Sequence, residues 1–134
     1  MGRKILVVDD ELDIRMVLEE ILRGQDFDVE TAENGEEALK KLERNSYDLM
    51  VLDIMMPVMD GYQLLENLSD EIKAKMPVIM LTAKATDEDV MDGYKKGACY
   101  YIVKPFDNVT LINAILYMLD DVLAEDMSES ESKL

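Results

Sequence analysis

The sequence of 134 residues contains no histidine and only one cysteine, Cys99. Without histidine the chain cannot form a Ser-His-Asp hydrolase, a Cys-His protease or a histidine-ligated zinc site, and it cannot donate a phosphoryl group from its own phosphohistidine. A single cysteine allows no intrachain disulfide and no thiolate metal cluster. We expect Cys99 to be a buried or half-buried structural thiol, because no activating cation is evident beside it.

Positive charge and long apolar runs are also scarce. Fourteen basic residues against thirty acidic ones give a formal net charge of −16, and such a surface repels nucleic acids and anionic membranes. The apolar runs are only a few residues long, too short to span a bilayer. Residues 1–4 lead straight into a strand-like segment, without the apolar stretch and cleavage site of a signal peptide. We therefore predict a soluble, cytoplasmic protein that binds neither nucleic acid nor membrane directly.

Apolar runs alternate with segments of helical periodicity along the whole chain. Continuous apolar runs at residues 5–8, 49–52, 78–81 and 101–103 fit parallel strands covered on both faces, and residues 27–32 alternate like a half-exposed edge strand. Helical segments follow these strands, beginning near Leu12, Asn34, Gly61, Asp87 and Asp107. The apolar stripe of the first helix includes Leu12, Met16, Leu18 and Leu22, and that of the third extends to Leu68.

This order predicts one doubly wound α/β domain, a (βα)5 flavodoxin-like sandwich with a parallel sheet in the order 2-1-3-4-5. We place the domain at residues 3–123. Residues 124–134 are acidic and rich in serine, which predicts a flexible tail.

Polar residues follow the apolar runs where parallel strands would share one edge. Asp9 and Asp10 follow the first run. Asp53, Thr82 and Lys104 follow the next three runs, in that order. Ligand sites of open α/β sheets lie beyond the carboxyl ends of the strands, where strand order reverses. We therefore expect these five side chains to share one pocket.

Three aspartates against one lysine leave a negative cluster, and like charges this close either raise the pKa values of the carboxyls or require a cation. All-oxygen ligands suit Mg²⁺, with Mn²⁺ as an alternative. We expect Asp10 and Asp53 to be direct ligands and Asp9 to act directly or through water, while the backbone carbonyl of Met55 completes the protein's contribution. Met55, Met56 and Met59 are expected to line the rim of the site.

Asp53 can also act as a nucleophile that forms an aspartyl phosphate. Phosphoryl transfer needs mainly positioning and neutralisation of the charge on the phosphoryl oxygens. In this pocket the metal, the Lys104 ammonium, and the Thr82 hydroxyl with the Ala83 N–H would each meet one oxygen.

Four motifs in this order resemble the receiver domain of two-component response regulators, of the single-domain chemotaxis type. They are residues 7–11 (VVDDE), 52–57 (LDIMMP) with 60–61 (DG), 81–83 (LTA) and 101–106 (YIVKPF). The resemblance implies that a histidine kinase or a phosphotransfer protein phosphorylates Asp53, with Asp9 and Asp10 binding Mg²⁺ and Lys104 contacting the phosphoryl group. It also implies that Thr82 moves toward that group, that Tyr101 turns inward and that the Lys104–Pro105 peptide bond is cis.

The resemblance implies a switch and not an enzyme, except that the domain catalyses its own phosphorylation and dephosphorylation. Its output would be a protein contact made by the fourth predicted helix, the fifth strand and the fifth predicted helix, over residues 90–101 and 107–121. Residues at the positions of Met55 and Lys84 tune dephosphorylation in receivers. An apolar Met55 cannot orient water, so we predict a long-lived phosphorylated form.

Three alternatives stay open from the sequence. A Mg²⁺-dependent phosphatase with an aspartyl-phosphate intermediate would place a general acid two residues after the nucleophile, but Met55 occupies that position. The chain could be a receiver domain from a longer regulator or hybrid kinase. An unphosphorylated pseudo-receiver is disfavoured, because every motif position is intact.

Overall fold

The computed structural model describes residues 2–83, 95 and 97–119. Its strands are β1 (Lys4–Val8), β2 (Asp28–Ala32), β3 (Leu49–Asp53), β4 (Val78–Thr82) and β5 (Tyr100–Val103). Its helices are α1 (Leu12–Arg23), α2 (Gly35–Arg44), α3 (Gly61–Glu66), α4 (Asp70–Lys75) and α5 (Asn108–Leu119). In these parts of the chain, no helix has the length and apolar character needed to cross a bilayer. The helix predicted from Asp87 and the predicted tail lie outside the described residues, apart from Lys95 and Gly97.

The five strands form one parallel sheet in the order β2-β1-β3-β4-β5, which confirms the predicted topology. Val8 pairs with Leu52, and in the next ladder Asp53 pairs with Leu81. Thr82 at the end of β4 pairs with the last residue of β5. The carboxyl ends of β1, β3, β4 and β5 therefore lie level with one another at one edge of the sheet.

Each face of the sheet carries its own apolar core, because successive residues of a strand point to opposite faces. Leu6 and Leu52 pack with α2 and α3 residues on one face, whereas Ile5 and Val51 pack with α1 and α5 residues on the other. All five residues of both β3 and β4 are buried. Continuous apolar runs are what such doubly covered strands require.

The prediction that the third helix extends to Leu68 is wrong. α3 ends at Glu66, and the N–H of Leu68 bonds to the carbonyl of Leu65 in a tightened last turn. The Ser69 side chain then accepts a hydrogen bond from the N–H of Ile72 and starts α4 as a separate helix. A serine cap thus divides what the leucine periodicity suggested was one element.

Three expectations about burial are also wrong. The run 101–103 is not covered on both faces, because β5 is an edge strand in which only Ile102 is buried. Cys99 is exposed, because Ala98 takes the interior position just before β5 and the next side chain points outward. On α1, Leu18 and Leu22 are fully buried, but Leu12 and Met16 are 60% and 58% exposed. The first two turns of α1 therefore present Leu12 and Met16 to solvent.

Candidate functional site

The strand ends bring four of the predicted side chains together. Asp9 follows β1, Asp53 ends β3, Thr82 ends β4 and Lys104 follows β5. The Lys104 Nζ lies 3.2 Å from Asp53 Oδ1 and 3.4 Å from Asp9 Oδ2. The backbone N–H of Lys104 also donates to the carbonyl of Thr82 at 2.7 Å, which holds the start of the β5–α5 loop against the end of β4.

Three carboxylates converge at this edge. Asp9, Asp10 and Asp53 each offer an oxygen, and these oxygens all lie within 4.8 Å of one another. Asp9 is completely buried and Asp53 is 4% exposed, whereas Asp10 is exposed at the mouth. The cluster therefore opens to solvent on the side of Asp10.

The surroundings of Asp53 disfavour its charged form. Burial is the main reason that the pKa of the Asp53 carboxyl rises from 3.8 to about 6, and the negative charges of Asp9 and Asp10 add to it. The Lys104 ammonium opposes this rise through its charge and its hydrogen bond, but it does not cancel it. The site is thus short of positive charge.

Lys104 responds in the opposite sense. Burial alone would lower the pKa of its ammonium, but the charges of Asp53 and Asp9 outweigh burial and raise it above the ordinary 10.5. Lys104 is therefore fully protonated at neutral pH. It is the one cation that pairs with this carboxylate cluster among the residues that the structure describes.

The donor set fits Mg²⁺ or Mn²⁺. Three clustered carboxylates supply hard oxygen ligands, and one ammonium leaves their charge unbalanced. Asp9 Oδ1 accepts a 2.9 Å hydrogen bond from the N–H of Glu11, and its Oδ2 faces Lys104. Both oxygens of Asp9 already have protein partners, which leaves Asp10 and Asp53 better placed for direct coordination.

Two contacts that support the site were not predicted from the sequence. Arg15 on α1 donates from Nη1 to the carbonyl oxygen of Asp9 at 2.7 Å, which helps to hold the β1–α1 loop. A Cβ on Gly61 would lie 2.8 Å from the carbonyl oxygen of Asp53. An Asp-Gly pair before a helix signals only a turn, and an arginine in a helix carries no signal of its own.

Other predicted residues lie at the margins of the site. Thr82 is buried at 5% exposure and Ala83 after it is exposed, while Lys84 lies outside the described residues. Met55 is 73% exposed and Met59 is half-buried, as rim residues would be. Met56 is not at the rim but in the core at 8% exposure, because it points inward.

Tyr101 on β5 is half-buried, and its hydroxyl donates to the hydroxyl of Tyr62 on α3 at 3.2 Å. This bond spans the edge of the sheet between β5 and the start of α3. The Lys104–Pro105 peptide bond is cis, as expected. Asp107 caps α5, since its side chain accepts a 2.7 Å hydrogen bond from the N–H of Thr110.

Residues 5–116 match the response regulator receiver domain family. The alkaline phosphatase synthesis transcriptional regulatory protein PhoP of Bacillus subtilis is 46% identical over 106 residues, which are 79% of this chain and 44% of that protein. The probable transcriptional regulator ycf29 of Pyropia yezoensis is 36% identical over 133 residues, 98% of this chain and 58% of that protein. The chain thus spans about half the length of these curated relatives.

Solved structures agree in fold over nearly their whole length. The chemotaxis protein CheY4 of Vibrio cholerae superposes with a TM-score of 0.83 at 33% identity, covering 89% of this chain and 100% of that one. A CheY-like response regulator receiver domain protein from Methanospirillum hungatei gives a TM-score of 0.84 at 33% identity, covering 93% and 99%.

Proposed function

Because this chain belongs to the response regulator receiver domain family, whose members act as phosphorylation-dependent switches, we propose that Asp53 is its phosphoacceptor. The observation that carries the proposal is the convergence of Asp9, Asp10 and Asp53 around the ammonium of Lys104. The phosphoryl donor is a phosphohistidine on a histidine kinase or a phosphotransfer protein. The domain spans residues 3–123, with residues 124–134 as its tail, and it acts in the cytoplasm.

In the proposed reaction an Asp53 carboxylate oxygen attacks phosphorus in line with the P–N bond of the phosphohistidine. The P–N bond breaks, and the imidazole leaves with the electron pair and takes up a proton. Lys104, held protonated by its carboxylate neighbours, binds one phosphoryl oxygen. The hydroxyl of Thr82 and the N–H of Ala83 bind another.

A divalent cation completes this charge balance. Asp10, Asp53, the backbone carbonyl of Met55 and, directly or through water, Asp9 would hold Mg²⁺ or Mn²⁺. When bound, the ion neutralises charge on the carboxylates and on the phosphoryl oxygens. The raised pKa of Asp53 supports this assignment, because burial and the charge of Asp9 disfavour the carboxylate and Lys104 does not offset them.

The switch would work through Thr82 and Tyr101. Movement of Thr82 toward the phosphoryl group would open space for Tyr101 to turn inward, which breaks the present hydroxyl contact with Tyr62. A local change of charge would thereby bias a two-state element. The output surface comprises residues 90–101 and 107–121, and it contacts protein rather than nucleic acid or membrane. The domain catalyses only its own phosphorylation and dephosphorylation.

Incubation with phosphoramidate and Mg²⁺ tests the proposal through intact-mass analysis. We expect the wild type to gain the mass of one phosphoryl group, and Asp53→Ala to gain none. Asp13→Ala removes an exposed acid on α1 and should be phosphorylated like the wild type. The assignment fails if the wild type gains no mass, or if Asp53→Ala gains as much as Asp13→Ala.

Substitution of Met55 should shorten the lifetime of the phosphorylated form. Its side chain is 73% exposed and apolar, so it cannot orient an attacking water, whereas an amide can. We expect Met55→Asn to lose its phosphoryl group at least about threefold faster, measured as decay of the phosphorylated mass. Met16→Asn makes the same change on α1 and should leave the decay rate as it is. A longer lifetime in Met55→Asn would contradict the role of this position. The expected influence of Lys84 on the rate of dephosphorylation stays a prediction, because Lys84 lies outside the described residues.

A further inference from the structure

A cleft of about 330 Å³ opens beside the carboxylate cluster, between the β2–α2 loop and the β3–α3 loop. It shares Asp10 with the cluster and is also bordered by Glu33 and Glu36 at the start of α2. Pro57, Val58 and Met59 form its apolar side. The volume lies at the lower end of the range of ligand pockets and suits one long side chain rather than a cofactor.

The cleft carries negative charge without compensation. Asp10, Glu33 and Glu36 line it, and none of the other described residues along it is a lysine or an arginine. All three are exposed, and none of their carboxylates pairs with a cation in the described part of the chain. The electrostatic complement of this surface is a positively charged group.

The opposite side of the cleft is apolar and held in place. The N–H of Met59 donates to the carbonyl of Pro57 at 2.8 Å, closing a γ-turn around Val58 with φ 71°. This turn presents the Val58 side chain to solvent at 92% exposure. A Cβ on Gly35 would lie 2.6 Å from the Met59 Sδ, so α2 packs directly against the β3–α3 loop.

We propose that this cleft binds an arginine side chain of the protein that phosphorylates the chain. The guanidinium would pair with Glu33 and Glu36, while its methylene stem lies on Pro57 and Val58. Asp10 is left to the metal. The inference rests on the proposed function, because it takes the phosphodonor protein as the occupant.

The position of the cleft beside the phosphorylation site is the reason for choosing the phosphodonor protein as its binding partner. Asp53 is only 4% exposed, so a phosphohistidine reaches it only if the donor protein covers the mouth of the site. Asp10 is exposed at that mouth and also borders the cleft. A donor that covers the mouth therefore brings its own side chains over Glu33, Glu36 and Val58.

An NMR titration of the 15N-labelled protein with N-acetyl-arginine amide, with Mg²⁺ in excess, tests the cleft without any kinase. We expect saturable shifts at residues 33–36, 58 and 59 below about 50 mM ligand, since a single side chain binds weakly. The neutral isostere N-acetyl-citrulline amide should give none. Glu33→Gln/Glu36→Gln should weaken arginine binding at least about fivefold.

The control variant Glu20→Gln/Glu43→Gln also removes two negative charges, but from exposed positions on α1 and α2 away from the cleft. It should bind N-acetyl-arginine amide like the wild type. The proposal is overturned by shifts that map elsewhere or do not saturate, by equal binding of citrulline, or by equal weakening in the two double variants. Phosphorylation by phosphoramidate does not require Glu33 or Glu36. Failure of this titration therefore leaves the assignment of Asp53 intact, and failure of phosphorylation leaves the cleft to be judged on its own result.

Discussion

Asp53→Asn is expected to raise the free energy of unfolding by about 1–3 kcal/mol at pH 7 in buffer without divalent metal. Burial and repulsion by Asp9 shift the pKa of the Asp53 carboxyl from 3.8 to about 6, so its ionised form destabilises the folded state. An amide of similar shape removes that charge. The loss of a partner for Lys104 reduces the gain, because the ammonium then pairs with Asp9 alone.

The pH dependence gives the sign of this effect. Above pH 6 the Asp53 carboxyl is ionised in both the folded and unfolded chain, and the full penalty is present. As the pH falls through 6 toward 3.8, the folded chain takes up a proton first and the penalty fades. The stability difference between Asp53→Asn and the wild type should therefore shrink between pH 7 and pH 4.

Urea unfolding followed by circular dichroism at several pH values measures both parts of this prediction. Asp13→Asn removes an exposed charge from α1 and should show no comparable gain. Excess Mg²⁺ should stabilise the wild type by about 2.7 kcal/mol at a hundred times the dissociation constant, and should stabilise Asp53→Asn much less. A variant less stable than the wild type at pH 7 without metal would refute the charge argument.

Gly61→Ala is expected to lower the free energy of unfolding by about 2–3 kcal/mol. The new Cβ would lie 2.8 Å from the carbonyl oxygen of Asp53 and 3.0 Å from the Cα of Ile54. Both are backbone atoms, so no change of rotamer relieves the contact. The N–H of Gly61 also donates to the carbonyl of Ile54 at 2.9 Å, and a shift of α3 would weaken that bond.

The same substitution should slow phosphorylation by phosphoramidate even under conditions where the variant is folded, because relief of the contact moves the end of β3. Gly24→Ala is the matched control. Its Cβ would lie 3.3 Å from the carbonyl oxygen of Ile21, and its φ of −63° suits alanine. We expect that control to be neutral or slightly stabilising. Equal stability and equal phosphorylation rates for the two variants would refute the close approach at Gly61.

The sheet and the site could be predicted because they depend on local patterns. A strand buried on both faces needs a continuous apolar run, and β1, β3 and β4 each have one. The first polar residue after such a run must lie at the sheet edge. Asp9, Asp53 and Thr82 were found by that rule. Lys104 was found in the same way, although β5 is an edge strand in which only Ile102 is buried. The order of the strands then brought the four side chains together.

What the sequence did not predict depends on contacts between distant residues. The burial of Ala98 decides that Cys99 faces solvent, and no local pattern distinguishes those two small residues. Leu12 and Met16 are apolar like Leu18, but Leu18 lies about 200° around the helix from Met16, so the two exposed side chains point away from the face that packs on the core. The close contact at Gly61 depends on how the β3–α3 loop folds back on the end of β3, which no local pattern shows. The raised pKa of Asp53, in contrast, has the direction expected from clustered like charges.

The division of the interior into two cores by the sheet has a consequence for how this domain can change in evolution. Side chains that pack with α1 and α5 share almost no contacts with those that pack with α2 and α3. Substitutions on opposite faces should therefore be nearly additive in stability. The helices on one face can therefore change to suit a new binding partner while the core on the other face keeps its packing. The residues at the strand ends, which carry the chemistry, need not change in either case.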